Sequence, residues 1–184
     1  MIKSKDDLRK FIAADNQEYL SRSRKERIIG AICRYPDYEI KLFKIYLRRA
    51  EYCFNTATKN KFRFLQALYW ERRKNTLGYR LGIEIDINCF DSGLTIYHSG
   101  GIVVNPKARI GKNCKLHGGN CIGNNGKTDA VPVLGDNVDL GYGACVIGNV
   151  HLSDGIMVGC NAVVVKDCEK PNAVLAGIPA RELH

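Results

Sequence analysis

Val104 is followed, over residues 105–164, by NPKARI, GKNCKL, HGGNCI, GNNGKT, DAVPVL, GDNVDL, GYGACV, IGNVHL, SDGIMV and GCNAVV. A bulky aliphatic residue closes almost every hexad: Val104, Ile110, Leu116, Ile122, Leu134, Leu140, Val146, Leu152, Val158 and Val164, with Thr128 the one break. A glycine follows at Gly111, Gly123, Gly135, Gly141 and Gly159, and the position four on is small or branched at Ala108, Cys114, Val138, Ala144, Val150, Ile156 and Ala162. Neither the helical period of 3.6 nor the strand period of 2 produces a strict six. Six is the period of a left-handed parallel β-helix, in which three short faces make a coil of roughly 18 residues and each face turns its aliphatic residue to the axis. The glycines are expected to form the corners, where φ is often positive. Chance does not explain ten such residues in eleven frame positions, since Val, Ile and Leu together make up about a quarter of an average chain.

Outward from the repeat, the chain divides into an α-helical N-terminal region, 1–80, and a β-helix domain, 81–184, so that the expected class is mainly β with a helical appendage. Ser4 with Asp6 and Asp7 suits an N-cap and acidic first turn, with Leu8, Phe11, Ile12 and Tyr19 at helical spacing behind it. A second helix is expected over about 36–55, where Ile40, Phe43, Leu47, Ala50 and Phe54 form one stripe, and a third from about Lys59 to Leu77. Gly78 and Gly82 flank the passage into a first, irregular coil near Ile83. Residues 1–80 hold 20 Lys and Arg against 9 Asp and Glu; residues 81–184 hold 8 against 10. The formal net charge of +9 is therefore an N-terminal property. Such basic faces cover a helical cap or attract an acidic partner, including peripheral contact with anionic lipid. Nucleic acid is not expected, because no binding motif accompanies the charge.

No run of 18 apolar residues is present, and Lys3, Lys5, Asp6, Asp7, Arg9 and Lys10 interrupt any apolar leader core, so a cytoplasmic protein is expected. The eight cysteines lack CxxC spacing and read as reduced, mostly structural thiols. The polar, turn-rich stretch from Gly123 to Pro132 reads as a loop thrust out of the repeat. His98 and His117 lie in the coils before it. Their separation of 19 residues, at about 18 per coil, places them on one face of adjacent coils.

These residues carry a resemblance. The hexapeptide run, the segment His98-x-x-Gly-Ile-Val-Val, the glycine loop from Gly123 through Gly126 and Lys127, and the ending Val-Val-Lys-Asp through Ala-Gly-Ile-Pro-Ala-Arg resemble the hexapeptide-repeat acyltransferases. The branch they resemble is the serine acetyltransferase-like group that includes enzymes of capsular and surface polysaccharide clusters. The resemblance implies an O-acetyltransferase that moves acetyl from acetyl-CoA to a hydroxyl in a ternary complex, with no metal. It implies a homotrimer with active sites between subunits. His98 matches the family's general base, which would take the proton of a weakly acidic alcohol as it attacks the thioester. His117 stands where the family has Gln or His, in a positioning role. Backbone N–H groups near the loop glycines, or His117, are expected to receive the developing oxyanion.

For the donor, the resemblance places the pantetheine arm along corner positions occupied here by Tyr142 with Gly143 and Cys160 with Asn161. Lys166 and Arg181 match cations near the nucleotide phosphates, and Lys127 is a third. Two departures bear on the acceptor. Serine acetyltransferases carry Asp immediately before the catalytic histidine and an Arg-His pair before the loop proline, whereas this chain has Tyr97 and Ala130-Val131. The expected acceptor is accordingly a sugar hydroxyl of a surface polysaccharide, with serine as the alternative and a non-catalytic oligomeric binding module as a third reading. A zinc hydrolase on the same scaffold would need His98, His117 and His151 to converge, which their differing frame positions oppose.

Overall fold

The computed structural model describes residues 1–57 and 61–183. Five helices come first: α1 (Lys5–Asp15), α2 (Gln17–Ser21), α3 (Arg24–Ile32), α4 (Pro36–Asn55) and α5 (Lys61–Leu81). Ser4 caps α1 in a capping box with Asp7, which satisfies two otherwise orphaned N–H groups. The stripe Leu8, Phe11, Ile12 and Tyr19 is divided between α1 and α2 at Asn16, and a second capping box, Ser23 with Glu26, starts α3. α4 has the expected bounds, with Pro36 in its first turn. Its stripe Ile40, Phe43, Leu47 and Ala50 is buried. Lys59, the expected start of the third helix, lies outside the described residues, and α5 runs four residues past the expected Leu77.

Fourteen short strands follow. They are β1 (Ile83–Glu84), β2 (Thr95–Ile96), β3 (Ile102–Val104), β4 (Arg109–Ile110), β5 (Lys115–Leu116), β6 (Cys121–Gly123) and β7 (Val133–Leu134). The rest are β8 (Asp139–Leu140), β9 (Cys145–Ile147), β10 (His151–Leu152), β11 (Met157–Val158), β12 (Val163–Val164), β13 (Val174–Gly177) and β14 (Ala180–Glu182). From β2 to β12 they fall in rotation into three sheets: sheet A is β1-β3-β6-β9-β12, sheet B is β4-β7-β10, and sheet C runs from β2 through β5, β8 and β11 to β13 and β14. All pairs are parallel except the closing β13–β14 hairpin. The expectation of a mainly β class is corrected: the fold is mixed, with more residues in helices than in strands. A face of six residues keeps only two or three in ladder geometry and spends the rest on corners.

Every aliphatic residue of the repeat and every named small residue four positions on is buried. Each Val, Leu or Ile among them contributes about 1.5–3 kcal/mol by leaving water. The core is continuous from Ile40, Phe43, Leu47 and Leu77 of the helices to Leu175 of the last coil, so α4 and α5 close one end of the solenoid. The expected role of the repeat glycines is also corrected. Gly111 and Gly141 are not among the residues of positive φ; a Cβ at Gly111 would stand 2.6 Å from the Gly135 carbonyl oxygen, and one at Gly141 2.9 Å from the Cys160 nitrogen. They are glycine because the next coil's backbone passes over them. The left-handed corner falls two residues later, where Asn113, Asn137 and Asn161 adopt φ of 56 to 60°.

The helices are fixed to the first coil by a buried charge cluster. Arg48 of α4, fully buried, donates to Asp15 and Glu51 and to the carbonyls of Phe90 and Asp91 at 2.8 and 2.7 Å. Asp15 in turn accepts from the N–H groups of Gly93 and Leu94. Burial alone would push the Arg48 guanidinium down, but the carboxylates of Glu51 and Asp15 beside it outweigh that and hold it up.

Candidate active site

The corner between sheets C and A gathers most of the residues singled out. His98 follows β2 and is exposed. Thr95 pairs with Lys115 and Ile96 with Leu116, so the first full coil spans 20 residues rather than 18. This corrects the expected column. Tyr97, not His98, lies against His117, with ring centroids 4.5 Å apart. His98 stands instead beside Gly118.

Gly118 has φ +110°, and a Cβ built there would meet the Tyr142 ring at 3.1 Å on one side and the His98 Cβ at 3.3 Å on the other. Tyr142, 54% exposed, therefore stands two coils from His98, across the gap that the missing side chain at Gly118 leaves. Cys160 and Asn161 continue the column, since the Asn161 N–H donates to the Tyr142 carbonyl at 2.8 Å. Tyr142, Gly143 and Cys160 thus share the corner with His98.

His117 is held from the far side. Its Nε2 donates to Asp139 Oδ1 at 2.9 Å, and Asp139 Oδ2 lies 3.6 Å from Lys115 Nζ. Asn120 is fully buried; it accepts from the Gly118 N–H at 3.0 Å and donates to the Gly141 carbonyl at 2.8 Å, which braces this corner to the next coil. Sequence reasoning missed both. Asn120 was legible as the one polar side chain in a slot otherwise filled by Ala, Cys, Val, Ile, Gly126 and Pro132. Asp139 was hidden because Lys115 pairs with a residue 24 positions on, across the coil that carries the loop.

Three of the corner's N–H groups are committed between coils: Gly119 to the Gly100 carbonyl, Gly143 to that of Gly118, and His117 to that of Leu140. In the loop, Lys127 and Thr128 N–H groups donate to Asn125 Oδ1. Gly126 and Lys127 sit on this loop, which leaves from β6 toward sheet B and so lies across sheet A from His98. Lys166 follows β12, and Arg181 lies on β14, both exposed in the last coil. His151 is on sheet B, away from His98 and His117. Among the described residues no three His, Cys, Asp or Glu side chains are grouped to hold a metal. Nor is any described helix long and apolar enough to cross a membrane.

No family model matches the chain. The serine acetyltransferase of Synechococcus elongatus is 31% identical over 106 residues, which cover 56% of this chain and 43% of that protein. The chain spans less than half the length of the curated relatives it matches. Among solved structures, the soybean serine acetyltransferase apoenzyme superposes with a TM-score of 0.72 at 22% identity, covering 97% of this chain and 70% of its own. A serine acetyltransferase in complex with CoA gives 0.69 at 24% identity, covering 97% and 71%. Helical cap and three-sheet solenoid alike are therefore a fold that this chain shares with serine acetyltransferases.

Proposed function

We propose that the protein is an acetyl-CoA-dependent O-acetyltransferase on a left-handed β-helix, with His98 as general base. The observation that carries this is the column His98, Gly118, Tyr142 and Cys160 in one solvent-facing corner of that fold. An imidazole nitrogen of His98 takes the proton of the acceptor hydroxyl as its oxygen attacks the thioester carbonyl; the imidazolium then returns the proton to the departing CoA thiolate. His117, gripped by Asp139 and stacked on Tyr97, is a positioning residue beside this path. Tyr142, Gly143 and Cys160 lie along the groove for the pantetheine arm, and Lys166, Arg181 and Lys127 supply charge for the phosphates. The oxyanion is received by an N–H group near the glycines of the corner and loop or by His117, and the site is completed between the subunits of a homotrimer.

Serine is the acceptor that the names of the relatives support. A sugar hydroxyl is the second reading, favoured by Tyr97 where serine acetyltransferases have aspartate, because its ring is spent on His117 and offers no charge to an ammonium. Thiol release from acetyl-CoA with serine and with saccharides tests both. His98→Ala is expected to stay folded and lose about 10²- to 10⁴-fold in rate; full activity in that variant refutes the assignment. CoA is expected to raise the melting temperature, by an amount equivalent to about 2.7 kcal/mol at a hundred times its Kd. A non-catalytic module would show neither response.

A further inference from the structure

A cavity lies beside the His98 corner rather than at it. A groove of about 700 Å³ lies between the C-terminal half of α5 and the outer face of sheet A. Glu71, Lys74, Asn75, Gly78 and Tyr79 recur at i, i+3, i+4, i+7 and i+8, so one helix face forms the wall. Glu84 of β1 and Val103 of β3 point up from the sheet as the floor, and Gly101 lines the end nearest the corner. Gly101 is three residues from His98, at most roughly 11 Å of extended chain. The end of α5 is packed against this turn: a Cβ at Gly82 would stand 3.1 Å from Gly100 Cα and from the Gly101 nitrogen.

The chemistry of the groove is one-sided. Its charged lining is Glu71, Glu84 and Asp86 against Lys74 alone. Lys74 is buried and consumed, with its ammonium 2.8 Å from Glu71, 3.0 Å from the Ile85 carbonyl and 3.7 Å from Asp86. The second Glu71 oxygen, Oε2, is buried without a hydrogen-bond partner, and Glu84 is exposed. The groove therefore offers acceptors and few donors. That rejects phosphates, including those of CoA, and disfavours a peptide, whose carbonyls would find few donors. It suits a ligand made of hydroxyl donors. Tyr79, 91% exposed at the mouth, presents an open aromatic face, and Val103, 44% exposed, adds apolar floor. An aromatic platform beside the exposed Glu84 carboxylate matches a sugar ring, with its apolar C–H face and its rim of hydroxyls. Pockets of roughly 300–1,000 Å³ hold drug-sized ligands, so this volume far exceeds what a single small amino acid fills.

We propose that the groove is an acceptor subsite for an oligosaccharide, which lies along α5 and presents one hydroxyl to His98. This rests on the acetyl-transfer reading for its catalytic end but not for its binding. The test uses the full chain with Tyr79→Ala and Glu84→Gln, both at exposed positions, and a panel of hexose, hexosamine and deoxyhexose di- to tetrasaccharides. Saturation-transfer NMR without acetyl-CoA reads binding; thiol release reads turnover. Expected is saccharide binding that both variants weaken about tenfold or more, as loss of one good contact does, with the KM for acetyl-CoA unchanged. Turnover of serine alone, indifferent to both variants and with no saccharide bound, overturns the subsite and leaves acetyl transfer standing. Saccharide binding without thiol release from any acceptor leaves the subsite and overturns acetyl transfer. If light scattering shows the variants losing mass while no saccharide binds, the groove is an interface between copies and the proposal fails.

Discussion

A methyl group at position 118 has no room, and the consequences of adding one separate packing from catalysis. Gly118→Ala would press on Tyr142 and His98 at 3.1 and 3.3 Å and force a side chain into a φ of +110°. It is expected to cost about 1–3 kcal/mol in urea unfolding and to lower kcat by displacing His98. Tyr142→Ala in the same chain should recover part of the rate and little of the stability, because the backbone strain remains. His98 was legible through its motif, but its neighbours were not. Whether position 117 lies under 97 or 98 depends on a coil two residues longer than the repeat implies, and that length is set by non-repetitive residues 83–101, where no hexad is written. The Cys89 thiol adds a titration. Burial pushes it up to about 11, so its contribution to stability is complete below about pH 9 and is lost as pH rises from there to 11. Cys89→Ala should show a shallower alkaline fall than the parent, by up to about 1.4 kcal/mol per pH unit. Comparing the two cancels the opposite slope of Lys44, which burial pushes down to about 8.

Among elements, α4 does most to join the two halves. Arg48→Met leaves Asp15 and Glu51 buried without their counter-charge and removes the bonds to Phe90 and Asp91. Loss of one member of such a cluster costs about 3–5 kcal/mol, and chemical denaturation should report it as a lowered midpoint. The stripe and the proline of α4 made its bounds readable. Nothing in a periodic pattern announces that an arginine inside the stripe will be buried, because its partners come from α1 and from the first coil. The break into α1, α2 and α3 was written in Ser23 and Glu26, a capping box among charges that looked like a continuous basic face.

For the molecule as a whole, the frame of six governs what the chain tolerates. Across the loop, Cys121 pairs with Cys145, 24 positions on, while Cys145 pairs with Val163, 18 on. The loop coil is thus longer by one whole hexad, which explains why Thr128 breaks the aliphatic run without moving Leu134 or Leu140 off the axis. Excising residues 124–129 is expected to leave a folded solenoid that melts within a few degrees of the parent, as checked by circular dichroism. A collapse of the melting transition would contradict the frame. The solenoid was legible because its physics repeats, and the helices of the cap from their stripes and caps; the groove beneath α5 was not, since it is made once. The cap also has a history during synthesis. Asp15 leaves the ribosome early, yet the N–H groups of Gly93 and Leu94 that it receives lie 78 and 79 residues later. At roughly 5–20 residues per second, α1 waits about 4–16 seconds with its anchor unmet. The first helix made therefore cannot dock until the first coil has followed it.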